Sequence, residues 1–361
     1  MAMKILHVIT GMQKAAGTTT FVENIVDGLK SKGHDVKVVM STDGFRRCDI
    51  IHIHGLWSGL LHRAACFARR NSIPVVWSTH GMTAPWARRH KWWKKLPAWL
   101  LYQKRDLKKA AAIHCTTELE VEWNKSLGFE NCFVAPLGTN ENQFHSPTPA
   151  RNSNYTHTLL FVGRIYPVKG LVNLIRAWAI VNSQLITHNS QNRAIPFPNS
   201  NSKLQLNHNW KLRIVGPDQA GHLAELENLV RELGLCGSVD FAGPKFGDEL
   251  SAEYENCDCL ILPSFTENFG ATVVDAMAHG KPCIASTFTP WKELQDRGCG
   301  WWVSNEPDKL AKAIQEMIDA GDENRRKMGS CGRKLVEEKY TWDAVGKTMV
   351  KGYEEVLNGK S

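Results

Sequence analysis

The stretch Pro263-Ser264-Phe265-Thr266-Glu267-Asn268-Phe269-Gly270-Ala271-Thr272-Val273-Val274-Asp275-Ala276-Met277-Ala278-His279-Gly280-Lys281-Pro282 decides how the rest of the chain is read. It follows the short apolar run Cys259-Leu260-Ile261-Leu262, turns at Asn268-Phe269-Gly270, and enters a segment of helical periodicity. A buried strand that turns into a helix leaves the first N–H groups of that helix pointing back over the turn. Here they belong to the region of Ala271 and Thr272, and with the positive end of the helix dipole they suit phosphate oxygens. Glu267 stands just before the turn and Asp275 inside the helix, so two carboxylates can accept hydrogen bonds from ligand hydroxyls. Ligands of open α/β sheets bind at these strand ends. Taken singly, each acid reads as an ordinary surface group; taken with the turn, the pair reads as a site.

About one hundred residues upstream lies Phe161-Val162-Gly163-Arg164-Ile165-Tyr166-Pro167-Val168-Lys169-Gly170-Leu171. A strand ends at Val162, and Gly163 lets the backbone approach a ligand. Arg164 and Lys169 follow at the mouth of the next predicted helix. A helix N-terminus disfavours cations, so fold stability explains the two poorly, whereas an anion held between them explains both. Arginine offers a planar fork and lysine a point charge, a pair suited to a diphosphate.

Working outward, short apolar runs alternate with amphipathic segments along the whole chain, the pattern of βα units and parallel sheets. Strands are expected near 4–10, 35–40, 50–54, 75–79, 112–115 and 132–135, then near 158–162, 211–215, 238–241, 259–262 and 282–285. Helices are expected at 19–32, 169–182, 222–233 and 271–279. With 361 residues, the chain fits two doubly wound, Rossmann-like α/β domains. The Pro-, Ser- and Asn-containing stretch 146–154 marks the boundary, giving domains at 1–147 and 155–340. A polar stretch at 187–209 reads as a surface insertion without a catalytic role. The last helix, about 342–358, is long enough to return to the first domain.

The net charge of +8 is unevenly placed: residues 1–150 carry 20 Lys/Arg against 11 Asp/Glu, and the remainder 24 against 25. The first half therefore holds the whole excess, which implies an acidic partner. The ten cysteines show no zinc spacing and no Cys-x-x-Cys pair, and they read as free thiols in a reducing cytoplasm. No apolar run approaches the ~20 residues that span a bilayer, and the N-terminus reads as a first strand rather than a signal peptide. Neither an Asp-x-Asp pair nor a His/Asp cluster of metal spacing is present, so no metal and no cofactor are expected.

The two C-terminal stretches, in this order and separation, resemble the retaining glycosyltransferases of family four. That resemblance implies a GT-B fold, two Rossmann-like domains facing across a cleft, with a nucleotide-diphosphate sugar held mainly by the C-terminal one. It implies that Arg164 and Lys169 hold the donor diphosphate, that Glu267 is the first acid of a Glu-x7-Glu motif and touches the transferred sugar, and that Asn268, Phe269 and Gly270 supply backbone contacts. Asp275 stands where the family usually has the second glutamate, which holds the ribose hydroxyls; its shorter side chain puts that contact in question. Gly17, in the loop after the first strand, is similar to the glycine that lets amides close on the donor phosphate. His80, ending a strand in Ser78-Thr79-His80-Gly81, is similar to an active-site histidine near the reacting carbon. His52 and His54 share one face of the preceding strand, where a buried role is as reasonable as an active-site one. The resemblance further implies retention of configuration by front-face substitution, with positive groups in place of a metal stabilising the leaving diphosphate.

Cations alternate with tryptophans in Trp86-Ala87-Arg88-Arg89-His90-Lys91-Trp92-Trp93-Lys94-Lys95 and on to Arg105. Such a segment suits anionic lipid headgroups. Arg88, Arg89, Trp92, Trp93 and Lys94 are therefore expected on an acceptor or membrane side; the competing reading is an ordinary amphipathic helix with a solvated basic face. The expected activity is transfer of a hexose-type sugar, UDP being the first-ranked nucleotide and GDP the second. The expected acceptor is a glycan or polyprenyl-diphosphate-linked glycan of cell-envelope polysaccharide, lipopolysaccharide or capsule type, reached by a cytoplasmic enzyme seated peripherally on the inner face of the membrane. Nucleic acid is not an expected partner, since no nucleic-acid module accompanies the basic patch. A GT-B nucleotide-sugar epimerase and a non-catalytic sugar-nucleotide binder are the competing readings.

Overall fold

The computed structural model describes residues 2–11, 17–139, 156–189 and 209–359. The stretch 146–154 and nearly all of 187–209 lie outside them. The chain divides into two compact units, Met1–Gly138 with Lys339–Ser361, and Thr139–Glu338.

The first unit contains six strands: β1 Lys4–Val8, β2 Asp35–Val39, β3 Ile50–His54, β4 Val75–Ser78, β5 Ala112–Cys115 and β6 Cys132–Val134. All pair in parallel, in the order β2-β1-β3-β4-β5-β6. The strands read as unbroken apolar runs because both sheet faces are covered. On one face, Ile5, Ile50 and Val76 pack against Phe21, Ile25 and Leu29 of the Gly17–Ser31 helix and against Val345, Met349 and Tyr353 of the Trp342–Leu357 helix. On the other, Leu6, Ile53, Trp77 and Ile113 pack against Leu61 and Ala65 of the Gly59–Arg70 helix. The final helix therefore belongs to the same unit as the first strand.

The competing reading of the basic segment, one ordinary amphipathic helix, does not hold. The segment breaks into Pro85–Arg89, Trp92–Ala98, a π-helical turn Trp99–Gln103 and Lys104–Lys108. Lys91 takes left-handed backbone angles (φ 49°) between the first two pieces, and Pro97 lies inside the second; a proline there removes a helical hydrogen bond. Gln103, Asp106 and Leu107 turn inward, and Arg69 and His62 close on the Asp106 carboxylate at 2.7 and 2.6 Å.

The second unit contains β7 His157–Val162, β8 Trp210–Val215, β9 Val239–Gly243, β10 Cys259–Leu262, β11 Cys283–Ser286 and β12 Gly300–Val303. They form a parallel sheet of order β12-β11-β10-β7-β8-β9. The order reverses between β7 and β10, which makes the crevice at their carboxyl ends the binding position of a doubly wound sheet. Both sequence stretches singled out above leave the sheet there. The helix expected at 169–182 runs from Leu171 to Asn189, so Lys169 lies in the preceding 3-10 turn Pro167–Lys169 rather than at a helix N-terminus.

Candidate functional site

The loops after β7 and β10 are bonded to each other. Phe265 N–H donates to the Val168 carbonyl at 2.8 Å. Gly170 has φ 72°, and a Cβ on it would stand 2.1 Å from the Pro263 carbonyl oxygen, so only glycine allows the turn to lie this close to the β10 exit. The docking brings Lys169 onto Glu267: Lys169 Nζ donates to Glu267 Oε1, and Ser264 Oγ donates to the same oxygen at 3.0 Å. Both ion-pair partners are largely but not wholly covered, with 14% and 13% of their side chains exposed. The loop is braced from behind. Ser286 Oγ donates to the Ser264 carbonyl at 2.5 Å, and Trp291 Nε1 to the Phe269 carbonyl at 2.5 Å. Phe269 is buried against Trp291, its ring edge-on at 5.2 Å.

Gly270 (φ 82°) caps the Ala271–Ala278 helix. In the first turn, Thr272 Oγ1 is buried and has no hydrogen-bond partner among the described residues, a costly state unless a ligand supplies one. Asp275 is the fifth residue of the helix. Burial raises its pKa to about 6, opposed by the hydrogen bond it accepts from Thr139 Oγ1 at 3.0 Å. Gly163 N–H donates to the Val215 carbonyl at 3.0 Å, fixing the strand exit. Arg164 is not drawn into the Lys169 pair: it is exposed and donates to Gln219 Oε1 at 3.0 Å. The expectation that both cations line the mouth of one helix is corrected accordingly. Arg164 leaves β7 on the side of the loop after β8, and Lys169 on the side of β10.

In the first unit Gly17 is the first residue of its helix, while 12–16 lie outside the described residues. His80 follows β4 with left-handed angles (φ 48°), an uncommon state for a residue with a Cβ. A buried carboxylate holds it there. Glu120 Oε1 accepts from Thr79 Oγ1 at 2.7 Å and from Gly81 N–H at 2.6 Å, gripping the residues on either side of His80. Its other oxygen accepts from Thr116 N–H at 2.8 Å and Thr116 Oγ1 at 3.1 Å. Parallel register places His7 beside His52, His54 beside Ser78, and Ser78 beside His114 on one sheet face. His80 contacts His54 (3.1 Å), and His54 contacts His7 (2.8 Å). Burial depresses all five imidazoles: His7 and His80 to about 3, His114 to about 4, and His52 and His54 well below their ordinary value. Sequence reading found His52, His54 and His80. It missed His7, His114 and Glu120, whose meeting depends on strand register and on a helix that no local pattern fixed.

Arg88 and Lys95 border an apolar pocket formed by Trp57, Met82, Trp92, Leu96 and neighbours, and Arg88 Nε is buried without a partner among the described residues. Trp93, Leu100 and Leu101 of the same segment are exposed, as are Arg89 and Lys94.

A parallel sheet covered by helices on both faces defines a Rossmann-like unit, and the described residues form two parallel six-stranded sheets. The chain belongs to the family described as Glycosyl transferases group 1, which matches residues 149–335; residues 43–143 match the family Glycosyltransferase Family 4. Its fold is GT-B. An uncharacterized glycosyltransferase of Methanocaldococcus jannaschii is 32% identical over 200 residues, covering 54% of this chain and 44% of that protein. An MMP alpha-(1->4)-mannosyltransferase of Mycolicibacterium hassiacum is 25% identical over 284 residues, 74% of this chain and 61% of its own length. The chain thus spans about half the length of these curated relatives. The solved structure of HepE from Anabaena in complex with UDP superimposes with a TM-score of 0.72 at 17% identity, covering 98% of this chain and all of that one; that likeness shows the fold. No helix among the described residues is long and apolar enough to cross a membrane.

Proposed function

We propose that this chain is a retaining glycosyltransferase that moves a hexose-type sugar from a nucleoside-diphosphate sugar, UDP before GDP, without a metal ion. The observation that carries this reading is the Lys169–Glu267 pair at the β7/β10 switch point, next to the N-terminus of the Ala271–Ala278 helix. Lys169, Arg164 and the helix amides place positive charge for a leaving diphosphate. Glu267 and Asp275 place acceptors for sugar and ribose hydroxyls. As the resemblance to the retaining glycosyltransferases of family four implies, the leaving phosphate takes the acceptor's proton on the same face of the sugar, which retains configuration. A thermal-shift panel of UDP-, GDP- and ADP-sugars tests the donor assignment: the true donor raises the melting temperature, and a flat panel contradicts it. Release of free nucleoside diphosphate and altered sugar without transfer would favour an epimerase instead.

The acceptor we propose is a lipid-linked glycan of the cell envelope, met by an enzyme seated peripherally on the cytoplasmic face of the membrane. In support, Trp92 and Leu96 line a pocket with Arg88 and Lys95, and Trp93, Leu100 and Leu101 of the same segment are exposed. Apolar groups ringed by cations match an anionic headgroup with an acyl or prenyl chain. Flotation with acidic vesicles tests the seat: the parent floats and the Trp92/Trp93→Ala variant floats less, whereas equal recovery of both contradicts it.

A further inference from the structure

We propose that His54 and His7 are positioning residues that hold His80 as a neutral, Nδ1-protonated imidazole, so that it presents a hydrogen-bond donor and not a base. The inference rests on the reading of His80 as a residue at the reacting sugar.

The proton positions follow from the bonds. Five histidines lie together, and two chains run through them. In the first, His114 Nε2 is 2.8 Å from the Ala135 carbonyl, which can only accept; His114 therefore carries its proton on Nε2. Its Nδ1 is then an acceptor, and Ser78 Oγ, 2.6 Å away, donates to it. Ser78 has one hydrogen, so its oxygen accepts from His52 Nε2 at 2.6 Å. His52 Nδ1 in turn accepts from the Tyr353 hydroxyl at 2.6 Å. One backbone carbonyl thus fixes every proton in the chain, and His52 has no nitrogen left. The close approach of His7, His52 and His54 is for that reason a hydrogen-bonded cluster and not a metal site: a metal would have to displace Ser78 or Tyr353.

The second chain is His80 Nε2 to His54 Nδ1 at 3.1 Å and His54 Nε2 to His7 Nδ1 at 2.8 Å. It ends at His7 Nε2, which is buried without a partner among the described residues. Two proton orders satisfy the inner bonds. If protons point inward, the chain ends in a buried N–H with no acceptor. If they point outward, it ends in a bare lone pair. Among backbone groups, buried donors without an acceptor are rarer than under-satisfied acceptors, and the same preference carried over to imidazole selects the outward order. His7 Nδ1–H then donates to His54 Nε2, and His54 Nδ1–H donates to His80 Nε2. His80 must carry its own proton on Nδ1, the nitrogen for which the described residues supply no partner. A second proton on His80 Nε2 would confront the His54 donor, and so the ring also resists becoming a cation. The left-handed backbone held by Glu120 fixes its aim. Facing it are His54 from β3, Phe21 edge-on from the Gly17–Ser31 helix at 5.5 Å, and the neutral His114 from β5.

Long-range proton–nitrogen NMR on the full chain labelled in histidine reads the tautomers without any substrate. The expected spectrum has His80 in the Nδ1–H form and His52 and His114 in the Nε2–H form, unchanged from pH 5.5 to 8. In His54→Leu, His80 becomes a mixture of tautomers and titrates, while His54→Gln, whose amide can still donate to Nε2, restores the single form. An Nε2–H tautomer for His80 in the parent, or titration near the ordinary histidine value, overturns the proposal whether or not the variants fold. If the tautomer is as stated but His80→Ala leaves transfer unchanged, the relay stands and the placement of His80 at the sugar falls. If His80 is essential but its tautomer is mixed, the relay falls and the functional reading stands.

Discussion

Lys169 donates directly to Glu267, across 98 residues of sequence, because Gly170 lets its turn lie against the Pro263 carbonyl. The cation proposed for the diphosphate and the acid proposed for the sugar are thus one ion pair, oriented by Ser264 and fixed by the Phe265–Val168 backbone bond. Removing either partner leaves the other largely covered and uncompensated, which costs more than a surface pair would.

Gly170→Ala separates the two loops. Its Cβ meets a backbone oxygen at 2.1 Å with φ at 72°, so the turn must move. A loss of roughly 2 kcal/mol or more in urea unfolding is expected. Calorimetry should show nucleotide-sugar binding weakened beyond what the stability loss explains.

Asp275 makes donor binding depend on pH. Its pKa in the fold is about 6, above the ordinary 3.8, so the carboxylate is lost as pH falls through 6. If the charged form receives the ribose hydroxyls, affinity for a UDP-sugar should drop about tenfold between pH 7.5 and 5. A nucleotide sugar is the right probe, because its diphosphate has no group titrating in that window. Asp275→Asn should flatten the profile. A raised folded pKa means that the burial penalty is absent below 3.8 and grows as pH rises through 6. The same variant should therefore be more stable at pH 7.5, by roughly 1–2 kcal/mol given its partial exposure.

The histidine cluster has the opposite sign. Each of the five imidazoles has a folded pKa below 6.5, as low as about 3 for His7 and His80. The unfolded chain therefore binds more protons between those values. Their contribution is complete above pH 6.5 and lost as pH falls toward 3, at about 1 kcal/mol per imidazole by pH 5.5. Scanning calorimetry from pH 8 to 5 should show a melting temperature that is level above about pH 6.5 and falls below it. His7→Leu, which removes the ring with the unpartnered nitrogen, should give a shallower slope.

Glu120→Gln should harm the enzyme without touching substrate. Both carboxylate oxygens accept from two donors each, and an amide turns one of them into a donor facing donors. A destabilisation of about 2–4 kcal/mol is expected. Turnover should fall with it as His80 loses its left-handed backbone, measured at a temperature where the variant remains folded.

Much of the fold was legible because parallel strands buried on both faces leave apolar runs that need no partner to be seen. The final helix was legible too: the 342–358 segment closely matches Trp342–Leu357. β12 was not read, because Gly300-Trp301-Trp302-Val303 is half-exposed and resembles packing aromatics. The breaks in the basic segment were not legible, since a left-handed Lys91 and a π turn follow from tertiary packing and not from periodicity. At the site, Glu267 and Lys169 were visible as motif residues, but their contact was not. It arises from Gly170 against Pro263, a close approach that the letter glycine permits without announcing. Glu120 and His7 carried no signal, because their roles come from strand register and a buried clamp.

Titration calorimetry of a UDP-sugar, or of the nucleotide sugar selected by the thermal-shift panel, into the parent, Lys169→Ala and Glu267→Gln chains bears on the proposed donor site above all. Loss of Lys169 should weaken binding 10–100-fold, about 1.4–2.8 kcal/mol, with free nucleoside diphosphate affected equally. Loss of Glu267 should weaken the nucleotide sugar but spare the free nucleoside diphosphate. Unchanged affinity of all three proteins for both ligands would contradict the assignment of this ion pair to the donor.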